Sequence, residues 1–396
     1  MKKIHLLFYV LFSAIFFSSC NHGGKAGSDE IIINGKLKYN GEDLIYLQQL
    51  NPTDVITIDS MKLGKDGTFS FKRKTKETNF YFLKIADTDF ITLLVEPGES
   101  VAVEADASQL SKNYKISGSV GSQLLLELND RLNVLYGKVD TLGRKFKEIQ
   151  GKPDFLAQKA ILDSAYNKLF FGHKKYLEQF IAQHESSLAV IIALYQNLGR
   201  RPMLTIKDDM PVFEKAAQKL ISVYPDNPHV VALKKRITEL KQKEADLKTA
   251  KQRIVTDSVA PAFAMRDTAG KNISLASLSG KAVLIYFTSA SCISCINENP
   301  ELIKIYRKDR PKGFEVLAVY IDKSMKDWRA SIASGKIPWL CVSDLSSWES
   351  PVVKLYGVDK LPYLILVGKD GRIAVPDISI KTVESRLLPL LKKPTV

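Results

Sequence analysis

Apolar and polar positions change their period twice along the main body of the chain, and each stretch predicts a different architecture. From about residue 30 to 118 the alternation is that of strands. Ile31-Ile32-Ile33, Leu44-Ile45-Tyr46-Leu47, Phe69-Ser70-Phe71, Phe80-Tyr81-Phe82-Leu83 and Ile91-Thr92-Leu93-Leu94-Val95 are β-rich runs. Asn40-Gly41, Asp66-Gly67 and Pro97-Gly98 supply turn signals between them. This predicts an all-β, sandwich-like domain over 30–118. From 119 to 256 the spacing becomes helical: Leu124, Leu125, Leu126, Leu128, Leu132 and Leu135 form one stripe. Pro153 to Gln183, Ser187 to Leu198 and Pro211 to Tyr224 continue it, and Asn227-Pro228 predicts an N-cap with proline at the first helical position. This middle region reads as an α-helical spacer or docking domain without recognisable chemistry. From 257 to 396 strands and helices alternate. Val283 to Phe287, Phe314 to Ile321 and Tyr363 to Val367 are the predicted strands, and Asp370-Gly371 marks a hairpin. The third block is therefore α/β around a central sheet.

The first 20 residues stand outside this pattern. Lys2, Lys3 and His5 form a basic start, and Leu6 to Phe17 is an apolar run of 12 residues. Such a run is too short to span a bilayer and suits a signal peptide. Phe17-Ser18-Ser19-Cys20 resembles a bacterial lipobox, with Phe17 in place of the usual leucine. That resemblance implies lipidation of Cys20; the alternative is a plain secretory signal. Residues 21–29 read as a flexible tether. The expectation is a lipid-anchored envelope protein facing the periplasm of a Gram-negative type of cell, its membrane contact made through the anchor.

Composition narrows the classes. With 396 residues, 45% hydrophobic and 25% charged, the chain is neither mainly disordered nor a polytopic membrane protein. Four cysteines are too few for a disulfide scaffold, and the five histidines, all before residue 230, do not suggest a metal site. No cofactor is expected. The net charge of +14 invites a nucleic-acid reading. Its densest run, Lys234 to Arg253, has eight Lys/Arg against three Asp/Glu at helical spacing. A solvated helix face explains it, with attraction to an anionic membrane as the alternative; no nucleic-acid partner is expected.

The candidate chemistry is Cys292-Ile293-Ser294-Cys295, placed between a predicted strand and a predicted helix. At a helix N-terminus, free backbone N–H groups and the dipole stabilise a thiolate at the first cysteine. The second cysteine lies one turn on and can resolve a mixed disulfide. Half a zinc site and a purely structural disulfide are the competing readings. No second CxxC or nearby histidine completes four zinc ligands, and the strand–CxxC–helix setting favours redox work.

With that setting the C-terminal block resembles the thioredoxin superfamily, and more narrowly the membrane-anchored TlpA/ResA type of thiol–disulfide oxidoreductase. Ala260-Pro261-Ala262-Phe263, Asp267-Thr268-Ala269-Gly270, Leu275 through Gly280-Lys281, Glu298-Asn299-Pro300, Leu361-Pro362, and the middle segment with Trp328, Ile337-Pro338-Trp339 and Asp344 carry the likeness. Asp59-Ser60, Asp66 to Phe71 and Glu96-Pro97-Gly98 resemble the N-terminal β-domain of unknown function found in such lipoproteins. The resemblance implies that Cys292 attacks, Cys295 resolves, Pro362 is a cis-proline shaping the docking groove, and Glu298 accepts or relays a proton. It implies disulfide-bearing exported proteins and an upstream thiol–disulfide electron donor as partners.

The departures are local. Ser291 stands where tryptophan is common, Ile293-Ser294 lies between the cysteines, and Ile296 replaces a frequent arginine. Tyr286 occupies the place of thioredoxin's buried aspartate, so Glu298 or a water must take the proton from Cys295. Cys341, in an apolar run, reads as a buried free thiol. A peroxiredoxin-type peroxidase would need a Pro-x-x-x-Thr-x-x-Cys loop, and Thr288 is one residue too far from Cys292. A binding or scaffold lipoprotein, with the thioredoxin-like domain as a docking module, is the alternative from a different class.

Overall fold

The computed structural model describes residues 26–39, 44–85 and 90–392. The proposed signal segment with Cys20, and the Asn40-Gly41 turn, lie outside the described residues. The chain divides into two compact units between Ile237 and Thr238.

The first unit opens with eight strands: β1 (Glu30–Lys38), β2 (Leu44–Leu50), β3 (Val55–Lys62), β4 (Thr68–Lys74), β5 (Asn79–Ile85), β6 (Phe90–Val95), β7 (Ser100–Asp106) and β8 (Tyr114–Ser117). They form two four-stranded sheets, ordered β4-β1-β7-β8 and β3-β2-β5-β6. Only β1 and β7 run parallel. The alternation explains the sandwich. Ile31, Ile33, Val101 and Val103 from one sheet share a core with Ile45, Leu47, Leu83 and Leu93 from the other. Gly67 is required at its turn: its φ is +80°, and a Cβ there would lie 2.0 Å from the Leu37 carbonyl oxygen.

Four helices and part of a fifth complete this unit: α1 (Val120–Ile149), α2 (Phe155–Gln183), α3 (Ala189–Leu194), α4 (Met210–Val223) and α5 (Pro228–Arg253), the last continuing into the second unit. A two-residue pairing of β9 (Asn197–Leu198) with β10 (Arg201–Pro202) interrupts the helices and was not expected from sequence. The helices are not a separate layer from the sandwich. Phe80 of β5 and Leu94 of β6 share a core with Leu125, Leu128, Leu177 and Phe180. Ser119 caps α1, its Oγ accepting from the Ser122 N–H at 3.2 Å. The Ser119 and Ser122 hydroxyls both donate to the Leu94 carbonyl, at 2.8 and 2.9 Å. Asn227 caps α5 as its sequence implies, accepting from the His229 N–H at 3.0 Å and donating to the Thr78 carbonyl at 3.0 Å. The charged residues between Lys234 and Arg253 are exposed, as a solvated helix face requires. Among the described residues no helix is long and apolar enough to cross a membrane.

The second unit holds β11 (Ala264–Arg266), β12 (Asn272–Ser274), β13 (Ala282–Thr288), α6 (Ile293–Asp309), β14 (Phe314–Tyr320), α7 (Met325–Ser334), β15 (Leu340–Val342), α8 (Pro351–Leu355), β16 (Tyr363–Val367), β17 (Ile373–Val375) and α9 (Ile380–Leu391). Five strands form a mixed sheet, β15-β14-β13-β16-β17. Every residue of β13, β14 and β16 is buried, as expected of central strands covered on both faces. Val283, Ile285 and Phe287 enter one core, while Leu284 and Tyr286 enter the other. The N-terminal β-rich domain, helical middle and C-terminal thioredoxin-like α/β domain are thus the architecture expected from the sequence.

Candidate redox site

Strand β13 delivers the chain to the site. It ends at Thr288, and a turn closes through the Cys292 N–H donating to the Ser289 carbonyl at 3.2 Å. Cys292 is the N-cap of α6, and its Sγ accepts from the Cys295 N–H at 3.2 Å. A sulfur therefore occupies the place that a serine or aspartate oxygen fills in ordinary caps. Cys292 and Cys295 are joined as a disulfide, with Cα atoms 5.2 Å apart. The two sulfurs are not equally accessible. Cys292 is half-buried, with Ser294 Oγ 3.4 Å from its Sγ, whereas Cys295 is only 1% exposed. A helix N-terminus favours negative charge at Cys292 by its dipole and free N–H groups.

Beneath Cys295 lies Tyr286, 1% exposed. Its hydroxyl donates to Asn299 Oδ1 at 3.2 Å and lies 3.5 Å from the Cys295 carbonyl. Burial pushes the phenol up to about 12, while a hydrogen bond with Thr288 opposes the rise and the Glu298 charge adds to it. Trp339 packs edge-on against this ring, centroids 6.4 Å apart. Glu298 follows Cys295 by three residues on α6 and is half-buried, so it stands on the same side of the helix. Pro300 within α6 has no N–H for the Ile296 carbonyl.

The other expected residues fall around this centre. The Leu361–Pro362 peptide bond is cis, just ahead of β16. Leu361 packs against the same apolar cluster as Cys292 and Cys295. Trp328 is fully buried, and Asp344 accepts from the Ser350 hydroxyl at 2.7 Å. Cys341 is a free, buried thiol on β15, and burial pushes it up to about 12. Its side chain is part of the apolar core that also holds Tyr286 and Trp339.

Sequence reasoning missed two contributors. Asn299, which accepts from the Tyr286 hydroxyl, carries no signal in the sequence beyond its place in Glu298-Asn299-Pro300. Asp322, directly after the β14 run, accepts from the Ala290 N–H with both carboxylate oxygens, at 3.2 and 3.1 Å. The available signal was its place at the carboxyl end of a strand beside the one that carries the cysteines, where sites of open α/β sheets gather. Among the described residues no group of three or more His, Cys, Asp or Glu could hold a metal ion.

The AhpC/TSA family pattern matches residues 256–375, and a domain of unknown function (DUF4369) matches residues 31–125. The thiol–disulfide oxidoreductase ResA of Bacillus anthracis is 30% identical over 145 residues, covering 37% of this chain and 82% of that protein. Tryparedoxin of Trypanosoma brucei brucei is 36% identical over 100 residues, covering 25% of this chain and 68% of that one. The solved thioredoxin domain of a Bacteroides vulgatus thiol–disulfide oxidoreductase is 30% identical, covering 35% of this chain and 99% of that one, with a TM-score of 0.33.

Proposed function

Because the chain belongs, through its C-terminal domain, to the ResA-type thiol–disulfide oxidoreductases, we propose that it works by a Cys292/Cys295 dithiol–disulfide cycle on exported proteins. The supporting observation is the unequal exposure of the joined pair at the start of α6: Cys292 is reachable and Cys295 is 1% exposed. In the dithiol state the Cys292 thiolate attacks one sulfur of a substrate disulfide. A mixed disulfide forms and the other substrate sulfur leaves as a thiolate, to be protonated. Cys295, once deprotonated, attacks Cys292 Sγ and releases the second substrate thiol. Two electrons have passed to the substrate, and the pair is left as the disulfide. An upstream thiol–disulfide donor returns it to the dithiol.

In this reading Glu298 takes the Cys295 proton, because Tyr286 fills the position of thioredoxin's acid and its phenol, held up to about 12, does not ionise at working pH. Pro362, whose nitrogen carries no hydrogen, shapes the groove that docks the substrate strand. Cys20 carries the lipid that holds the chain in the envelope, facing the periplasm. Insulin disulfide reduction with a thiol donor tests the cycle. Cys292→Ser abolishes turnover, and Cys295→Ser accumulates a mixed disulfide visible by non-reducing electrophoresis and mass. Full activity in the Cys292→Ser chain would overturn the proposal.

A further inference from the structure

The turn that presents Cys292 is buried at its first residue, Ser289, and opens toward solvent beyond it. It runs Ser289-Ala290-Ser291-Cys292, and Ser291 is exposed. No aromatic ring stands before the cysteine to wedge the loop against the domain. Backbone hydrogen bonds also hold the turn. The Ile321 N–H donates to the Thr288 carbonyl at 2.8 Å, which extends the β13–β14 ladder to the base of the turn. The Cys292 N–H closes the turn on the Ser289 carbonyl at 3.2 Å. The Ser289 and Ser291 hydroxyls lie 3.3 Å apart. This leaves the N–H of Ala290, the second residue of the turn, facing outward from the turn's own hydrogen bond. Both oxygens of Asp322 receive it, at 3.2 and 3.1 Å.

From this juxtaposition we infer that Asp322 is a positioning residue for the redox pair: it clamps the turn that carries Cys292 and places a negative charge at the Ala290 N–H, two residues before the attacking cysteine. The inference rests on the dithiol–disulfide reading of the preceding subsection. Asp322 is half-buried in the segment between β14 and α7. Burial, with the charge of Asp327 on α7, raises its carboxyl above the ordinary range, while the Ala290 N–H opposes that rise. When ionised, the carboxylate acts against the helix dipole of α6, which favours the Cys292 thiolate. A charge that disfavours the thiolate destabilises the dithiol state, so the pair becomes a stronger reductant. The clamp and the charge are separable by substitution. An asparagine keeps one acceptor oxygen for Ala290 and loses the charge, whereas an alanine loses both.

The experiment is a glutathione equilibration of the full chain as wild type, Asp322→Asn and Asp322→Ala, read by thiol alkylation, together with insulin reduction rates. Asp322→Asn is expected to shift the equilibrium about fivefold toward the dithiol, a potential about 20 mV less negative, with turnover within about threefold of wild type. Asp322→Ala is expected to show at least the same shift and to lose about tenfold or more in turnover. An Asp322→Asn equilibrium within twofold of wild type overturns the inference, as does wild-type turnover in Asp322→Ala. If Asp322→Ala does not fold, the Asp322→Asn equilibrium decides alone, since a residue needed only for folding would not move it. Failure of the wild-type pair to equilibrate at all would instead refute the underlying cycle, and is seen before any variant is made.

Discussion

Replacing Tyr286 by phenylalanine removes one oxygen from the centre of the site and leaves the ring in place. The ring is 1% exposed, and its hydroxyl spends its proton on Asn299 Oδ1 at 3.2 Å. Loss of an ordinary buried hydrogen bond costs about 1 kcal/mol, and Asn299, being half-buried, can recover part of this from water. For a unit of this size about 1 kcal/mol lowers the unfolding midpoint by about 2–4 °C. The redox behaviour should hardly move. The phenol, pushed up to about 12 by burial, is neutral across the working range and contributes no charge near the sulfurs. Calorimetry of the second unit's transition and insulin turnover between pH 6 and 8 are the assays. The expected outcome is a small drop in midpoint with turnover within about twofold of wild type. A folded Tyr286→Phe chain with turnover reduced tenfold or more would show that the phenol carries a proton in the cycle, and would refute the assignment of that task to Glu298.

Three further outcomes are expected. Cys341, buried and pushed up to about 12, should resist iodoacetamide in the native reduced chain while Cys292 is labelled; mass mapping of the labelled peptides checks this. Ser119→Ala removes the α1 cap and one of the hydroxyls on the Leu94 carbonyl, and should destabilise the first unit by about 1–2 kcal/mol in urea unfolding. Burial lowers the folded-state pKa of both His173 and His229 below the usual histidine value. The unfolded chain therefore takes up their protons first, and stability contributed by these groups is present above about pH 6.5 and is lost as pH falls toward their folded values. The first unit's unfolding midpoint should drop between pH 7.5 and 5.5, and a His173→Gln, His229→Gln chain should show a shallower drop.

Features set by neighbouring residues were the legible ones. The CxxC, its strand–helix setting and the Asn227-Pro228 cap depend on a few adjacent positions, and each lies in the structure where its spacing put it. The cis state of Pro362 was different: an X-Pro pair before a strand does not announce its isomer, so that expectation came from family resemblance alone. The strand-end position of Asp322 could be read, but its partner could not, because Ala290 is 32 residues away. Only the β13–β14 register, which sets Thr288 opposite Tyr320, brings them together. The joint between sandwich and helices leaves a trace in the sequence. Phe80-Tyr81-Phe82-Leu83 and Leu93-Leu94-Val95 are continuous apolar runs, not alternating ones. A strand apolar on both faces must be covered on both faces, and Phe80 and Leu94 are covered by the helices. The short edge strands β15 and β17 have three residues each, too few for any period to show.

The most direct test of the account is a redox titration of the Cys292–Cys295 pair in defined thiol–disulfide buffers, read by alkylation and peptide mass. One reversible transition confined to these two cysteines is expected, with the two-electron slope of about 30 mV per tenfold change in the ratio of oxidised to reduced pair. A midpoint near about −270 mV would mark a reductase fed by an upstream donor, and one near about −120 mV an oxidant. A pair that does not return to the dithiol, or a transition that requires Cys341, would contradict it.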